Sequence, residues 1–281
     1  MAQAYHVLMP VEGTLERSPF APVIETLVWG LQSLGLDASY AFGTWRTGAT
    51  NIVLCPNLLD GDTRRRLPPE TILYNMDQIT PASPMPPSRM WDLRHWRIWD
   101  FSERNLAAWN SLGIPVTFAP FGWYPGLDRV PDGVEQDIDI LFYGARNPRR
   151  EAAIAQFAKR GLRITVIDNV FGPRLDEIVA RAKVVLNIHY YYSRILEMRV
   201  FYALANGKAV VSERAQQTEV PAAYEDAVRW AAYENLAGAC AELVADADAR
   251  AALGIAGRRA VERTLITPIL EQALSHQAAA A

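Results

Sequence analysis

The sequence predicts an α/β protein of two domains, each built on a doubly wound parallel sheet. Three observations predict it. Short β-branched apolar runs alternate with segments of helical spacing along most of the 281 residues, the order that produces parallel sheets. Several of those runs are continuously apolar, as strands covered on both faces are. The composition also changes part-way. Seven of the eight tryptophans and fourteen of the eighteen prolines precede residue 132, and alanine-rich strand–helix alternation follows. That change puts a boundary near Pro131-Asp132-Gly133, giving domains over 1–131 and 132–281, with the final helix free to pack back on the first.

In the first domain, Tyr5 to Val11 reads as a strand and Ala21 to Leu34 as a helix ended by Gly35. Asn51 to Cys55, Thr71 to Asn75, Arg97 to Asp100 and Val116 to Ala119 read as strands. Ser102 is the expected N-cap of a helix reaching Leu112, and Pro81 to Pro87 is too proline-rich for regular structure. In the second domain, strands are expected over Asp139 to Tyr143, Arg163 to Ile167, Lys183 to His189 and Ala209 to Ser212. Helices are expected over Pro148 to Lys159, Pro173 to Ala182 and Ile195 to Ala205, the last stopped by Asn206-Gly207. Ala222 to Ala232 is short and mixed. Leu236 to Asp246 and Asp248 to Arg263 read as two closing helices, and the Gln-Ala-Ala-Ala-Ala tail as a disordered end.

Half of the residues are hydrophobic and the net charge is −3, which gives no global drive toward nucleic acid or an anionic membrane. Cys55 and Cys240 lie far apart and without metal-ligand neighbours, so both are expected as small buried apolar side chains in a reducing compartment. No segment approaches ~18 uninterrupted apolar residues and no leader pattern opens the chain, so a cytoplasmic location is expected. No His/Cys/Asp cluster has metal-ligand spacing, and no GxSxG or Walker sequence occurs. A metal-free site is the expectation.

Ligands of open parallel sheets bind beyond the carboxyl ends of strands, at the starts of the helices that follow. In the second domain that rule selects Gly144, Arg146 and Asn147, where glycine allows close approach and guanidinium grips phosphate. It also selects Asp168, Asn169 and Phe171, though a capped turn would use the first two in the same way. After Lys183 to His189 comes a polar aromatic loop. His189, Tyr190, Tyr191 and Arg194 are candidates there, since adjacent loop tyrosines cannot all face a core. Glu197, in an apolar context, needs a ribose diol or an arginine as partner. Glu213 closes a buried strand, facing either sugar hydroxyls or Arg214. In the first domain, Glu12, Asp77 and Asp100 end strands and are the candidates for a general base, alongside His189 in the second. Capping explains Ser102 and competes for Asp100.

The segment LNIHYYYSRILEMR followed by ALANGKAVVSE resembles the nucleotide-sugar-binding segment of GT-B glycosyltransferases, in the group-1-like and CgeB-like branch. Tyr74-Asn75-Met76-Asp77-Gln78 and Trp99-Asp100-Phe101-Ser102 resemble first-domain loops of the same group. The resemblance implies two Rossmann-like domains facing across a cleft, a nucleotide-sugar donor (UDP-, GDP- or dTDP-linked) on the second domain and a glycan or other hydroxyl acceptor on the first. It implies no cofactor, no nucleic acid partner, a place in polysaccharide biosynthesis, a base-binding role for Phe171 and a ribose-binding role for Glu197. Where many retaining members carry two glutamates, this chain has Arg194 and Tyr202. A GT-B-fold nucleotide-sugar epimerase and a non-catalytic binding or assembly subunit are the alternatives, and both inverting and retaining chemistry stay open.

Overall fold

The computed structural model describes residues 3–80, 85–190, 197–215, 218 and 220–278. The chain forms two compact units, one from Met1–Thr14, Phe20–Tyr124 and Leu265–Ala281, the other from Leu15–Pro19 and Pro125–Thr264.

In the first unit the order is β1 (Ala4–Met9), α1 (Ala21–Ser33), β2 (Asp37–Phe42), β3 (Thr50–Leu54), α2 (Gly61–Arg65), β4 (Ile72–Asn75), α3 (Pro87–Leu93), β5 (Arg97–Asp100), α4 (Glu103–Ser111) and β6 (Val116–Phe118). All six strands pair in parallel, in the order β2-β1-β3-β4-β5-β6. The core beneath them joins Leu8, Val53, Leu73 and Ile98 of the sheet to Met90, Leu93 and Trp109 of the helices.

Three elements here go beyond the sequence expectation. β2 is an edge strand with mixed exposure, so its pattern carries no buried run. α2 is one polar turn held by Asp60, whose carboxylate accepts the Thr63 N–H at 2.7 Å. α3 begins at Pro87, the end of the stretch expected to be loop, because proline suits the first helical position. Residues 81–84 of that stretch lie outside the described residues.

The second unit continues with β7 (Ile138–Tyr143), α5 (Pro148–Lys159), β8 (Ile164–Ile167), α6 (Gly172–Ala180), β9 (Ala182–Asn187), α7 (Met198–Ala205), β10 (Ala209–Glu213), β11 (Arg229–Ala231), α8 (Leu236–Ala245) and α9 (Ala247–Glu262). Its five strands are also parallel, ordered β11-β10-β9-β7-β8. The first strand β7 therefore sits between β8 on one side and β9 on the other, and the strand order reverses there. That makes the β7–β9 junction the topological switch point. β10 is buried at every position, as expected for a strand covered on both faces. The core combines Ile140, Phe142, Val184, Leu186 and Val211 with Phe157, Leu236 and Cys240. The stretch expected as mixed resolves into a 3-10 turn, Ala222–Tyr224, and β11.

A tenth helix, α10 (Ile266–Ala278), follows the two closing helices expected, and it includes Gln277 and Ala278 of the tail read as disordered. It packs in the first unit. A methyl group on Gly30 of α1 would lie 2.6 Å from Leu270, and one on Gly122 would lie 2.6 Å from the Ile266 Cα. The Ile266 N–H donates to the Trp123 carbonyl at 3.0 Å, so chain end and chain middle are stitched by backbone as well as by close contact.

Candidate functional site

The side chains that meet at the switch point start with the turn after β7. Gly144 has φ +129°, a conformation that disfavours any side chain, and its N–H continues the ladder to the Ile167 carbonyl at 3.0 Å. Asn147 then caps α5, its Oδ1 accepting the Arg150 N–H at 2.8 Å while its Nδ2 donates to the Tyr190 carbonyl at 2.7 Å. One asparagine thus starts a helix and ties it to the loop after β9.

That cap puts Arg149 and Arg150 in the first turn of α5, where the helix dipole opposes a cation. Carboxylates must compensate, and two do. Arg149 grips Glu213 with two nitrogens, one at 2.8 Å, and donates to the His189 carbonyl at 3.0 Å. Its guanidinium stacks on Tyr233 at 4.4 Å. Glu213 is 2% exposed and also accepts the His189 N–H at 3.2 Å. Arg214, the partner considered for Glu213, pairs instead with Glu225.

Arg150 is equally buried, at 2% exposure. It donates to the Ile188 carbonyl at 2.8 Å, the Ala145 carbonyl at 2.7 Å and Glu197 Oε2 at 3.1 Å. Every one of these acceptors belongs to a loop of the switch point. Burial pulls its pKa down to about 10 against the opposing pull of Glu197.

Glu197 is the hub. Its Oε1 faces His189 Nδ1 at 3.2 Å and accepts the Tyr190 N–H at 3.3 Å, while Oε2 accepts from Arg150 and Arg199, both at 3.1 Å. Burial alone would raise its pKa. The bond from His189 and the charges of Arg199 and Arg150 outweigh that and hold it at about 2. Arg199 also donates to Asn187 Oδ1 at 2.5 Å, and Asn187 in turn donates to Ser212 Oγ at 3.0 Å across the β9–β10 pair. The Arg199 guanidinium lies against Gly144, in the space a side chain there would fill. Two buried atoms of this cluster, His189 Nε2 and Arg199 Nε, have no hydrogen-bond partner among the described residues.

The remaining second-unit candidates lie around this cluster. Arg146 is exposed and paired with Glu151. Tyr190 is partly exposed, its ring 5.1 Å from the Arg150 guanidinium carbon. Asp168 and Asn169 form the capped turn weighed against a ligand role: Asn169 is left-handed at φ +55°, and its N–H donates to Asp168 Oδ1 at 2.8 Å. Phe171 precedes α6, and the following Gly172 packs against the backbone of Glu16. Tyr191 and Arg194 lie outside the described residues, and the helix expected from Ile195 begins at Met198, with Glu197 extended as its N-cap. A cavity of about 410 Å³ at the β11 edge, lined by Arg229, Trp230, Asn235 and Glu242, includes none of these residues.

In the first unit, Glu12 is exposed. Asp100 is fully buried, and four donors surround its carboxylate. The Ser102 N–H and Asn105 Nδ2 meet Oδ1 at 2.9 and 3.0 Å, and Asn75 Nδ2 and Trp109 Nε1 meet Oδ2 at 2.7 and 2.8 Å. Burial lifts its pKa to about 6 despite these bonds. Asp100, rather than the Ser102 hydroxyl, satisfies the backbone at the start of α4, and the Ser102 Oγ has no partner among the described residues. The Asp77 carbonyl accepts from Asn75 and Asn105, both at 2.8 Å, and burial raises the pKa of its carboxyl.

Residues 128–267 match the family model described as glycosyl transferase-like. No curated protein matches the sequence. Solved structures match over nearly the whole chain. Sucrose-phosphate synthase from Thermosynechococcus elongatus aligns at 12% identity and TM-score 0.65, covering 99% of this chain and 100% of that one. The HepE protein of Anabaena in complex with UDP-glucose aligns at 10% identity and TM-score 0.64, covering 98% and 99%. T4 phage BGT in complex with its UDP-glucose substrate aligns at 12% identity and TM-score 0.62, covering 99% of each. The chain is a GT-B glycosyltransferase.

Within this glycosyltransferase, the sequence reading preferred Arg146 to its neighbours Arg149 and Arg150 and left Arg199 open between a diphosphate contact and a surface charge. The clue was present: two cations in the first turn of a helix marked by Asn147-Pro148 need acidic partners. Among the described residues, no three His, Cys, Asp or Glu side chains are grouped to hold a metal ion, and no helix is long and apolar enough to cross a membrane.

Proposed function

We propose that this enzyme transfers a sugar from a nucleoside diphosphate donor to a hydroxyl acceptor, with the donor bound on the second unit. The observation that carries the reading is the convergence of Arg149, Arg150, Arg199 and His189 beside Gly144 at the β7–β9 switch point. UDP-glucose in two proteins of like fold supports the choice of donor class. In this reading Gly144, Arg146, Asn147 and Arg199 border the diphosphate, joined by Arg194. Asp168, Asn169 and Phe171 border the base, and His189, Tyr190, Tyr191 and Glu213 the sugar side. The acceptor oxygen attacks the anomeric carbon as the bond from that carbon to the diphosphate oxygen breaks. The negative charge that develops on the leaving diphosphate is met by guanidinium groups and helix N-termini instead of a metal ion.

On the acceptor side, Asp77 fits the role of base better than Asp100, whose oxygens are enclosed by four donors. A glycan hydroxyl in polysaccharide biosynthesis, in the cytoplasm, is the setting proposed. Binding of UDP-, GDP- and dTDP-sugars by calorimetry, followed by a donor-hydrolysis assay, tests the reading. Tight binding of one donor with slow release of free sugar supports it. Binding without turnover in any acceptor mixture would favour a non-catalytic subunit, and interconversion of the donor sugar an epimerase.

A further inference from the structure

Glu197 is the acidic residue nearest the positions at which the family resemblance expects a carboxylate for the ribose diol, but its hydrogen-bonding capacity is already filled. A carboxylate has about four lone-pair sites. Here His189 Nδ1 and the Tyr190 N–H take the two on Oε1, and Arg150 Nη2 and Arg199 Nη1 take the two on Oε2. A ribose diol would have to displace two of these donors, and each arginine so released would be a buried cation without its counter-charge.

The same contacts leave Arg199 differently placed. Its Nη1 is committed to Glu197 and Asn187, while its Nε is buried without a partner among the described residues and its guanidinium fills the space beside Gly144. We propose that Glu197 is a positioning residue: it holds Arg199 so that the remaining guanidinium donors serve the donor diphosphate, and it does not itself contact the nucleotide. This rests on the donor-site reading above.

A double-mutant cycle on the full chain tests it, with UDP as the probe and GDP and dTDP in parallel. Glu197→Gln keeps the shape but turns an amide toward donors, and should weaken affinity for the preferred diphosphate about tenfold. Arg199→Met should weaken it by at least as much. Because Glu197 acts through Arg199, the double variant should bind no more weakly than Arg199→Met alone. Losses that multiply would mean that Glu197 touches the nucleotide directly and would overturn the proposal. So would a lowered Tm with unchanged affinity, which would make the residue structural only. If Glu197→Gln does not fold, Glu197→Asp, which keeps the charge but shortens its reach, should show a smaller loss and the same non-additivity. A wild-type chain that binds none of the three diphosphates would instead overturn the donor-site reading, a result separable from either of these.

Discussion

Gly144 and Arg199 share one space: the guanidinium of Arg199 occupies the position that a side chain on Gly144 would take. The glycine is required twice over, since its φ of +129° also disfavours a Cβ. Gly144→Ala is therefore expected to cost roughly 1 kcal/mol from backbone strain and, separately, to push Arg199 off its bonds to Asn187 and Glu197. Nucleotide diphosphate affinity should fall by about tenfold, the value of one charge-assisted hydrogen bond. Calorimetric titration of the variant checks this, and wild-type affinity would show that Arg199 is not part of the site.

Glu197 should leave a signature in acid stability. Its folded pKa of about 2 lies below the ordinary 4.5, so its ionic contacts contribute stability that is complete above pH ~4.5 and is lost as pH falls toward 2. The stability difference between wild type and Glu197→Gln, followed by urea melts, should shrink across that window and stay constant above it. A difference that does not change with pH would refute the ionic account.

Asp100 carries the opposite sign. Its folded pKa is raised from 3.8 to about 6, so ionisation costs the folded state more than the unfolded one. Its contribution to stability is greatest in acid and declines as pH rises from 3.8 to 6. Asp100→Asn removes the charge but turns an amide toward two of the four donors, which leaves buried groups unsatisfied. A loss of about 3 kcal/mol is expected near neutral pH, together with loosening of the Asn75–Ile79 turn that Asn75 and Asn105 hold. Denaturant melts and amide exchange at Ile79 measure the two effects.

The first unit depends on two glycines for the seat of α10. With 2.6 Å between a Gly122 methyl and the Ile266 Cα, Gly122→Ala must displace the helix, and overpacking of this kind costs roughly 1–3 kcal/mol. Faster proteolysis after residue 264 than in wild type is the expected readout, and an unchanged melting temperature would argue against that seat.

Turnover should survive EDTA if, as proposed, guanidinium groups and helix N-termini at the switch point meet the charge of the leaving diphosphate. Abolition by chelator with rescue by manganese would refute this.

Much of the architecture follows from local sequence. Buried runs such as Val184 to Leu186 and Val210 to Val211 are apolar on both faces, so they declare parallel strands without any knowledge of neighbours. Asn147-Pro148 and Asn206-Gly207 mark helix ends through backbone chemistry that is complete within a few residues. The short polar helix α2, the edge strand β2 and the late helix α10 escaped, since a cap holds the first and neighbouring elements hold the other two, none of which shows as periodicity.

The site shows the same division. Sequence alone placed Gly144, His189 and Glu213 at strand ends and Glu197 at the start of a helix, because strand–loop–helix order is local. Which charges pair was decided only by the sheet. The reversal of strand order at β7 brings Arg149 to Glu213, 64 residues away, and Arg150 to Glu197, 47 residues away. Ion pairs depend on separation in space, and no spacing along the chain encodes that.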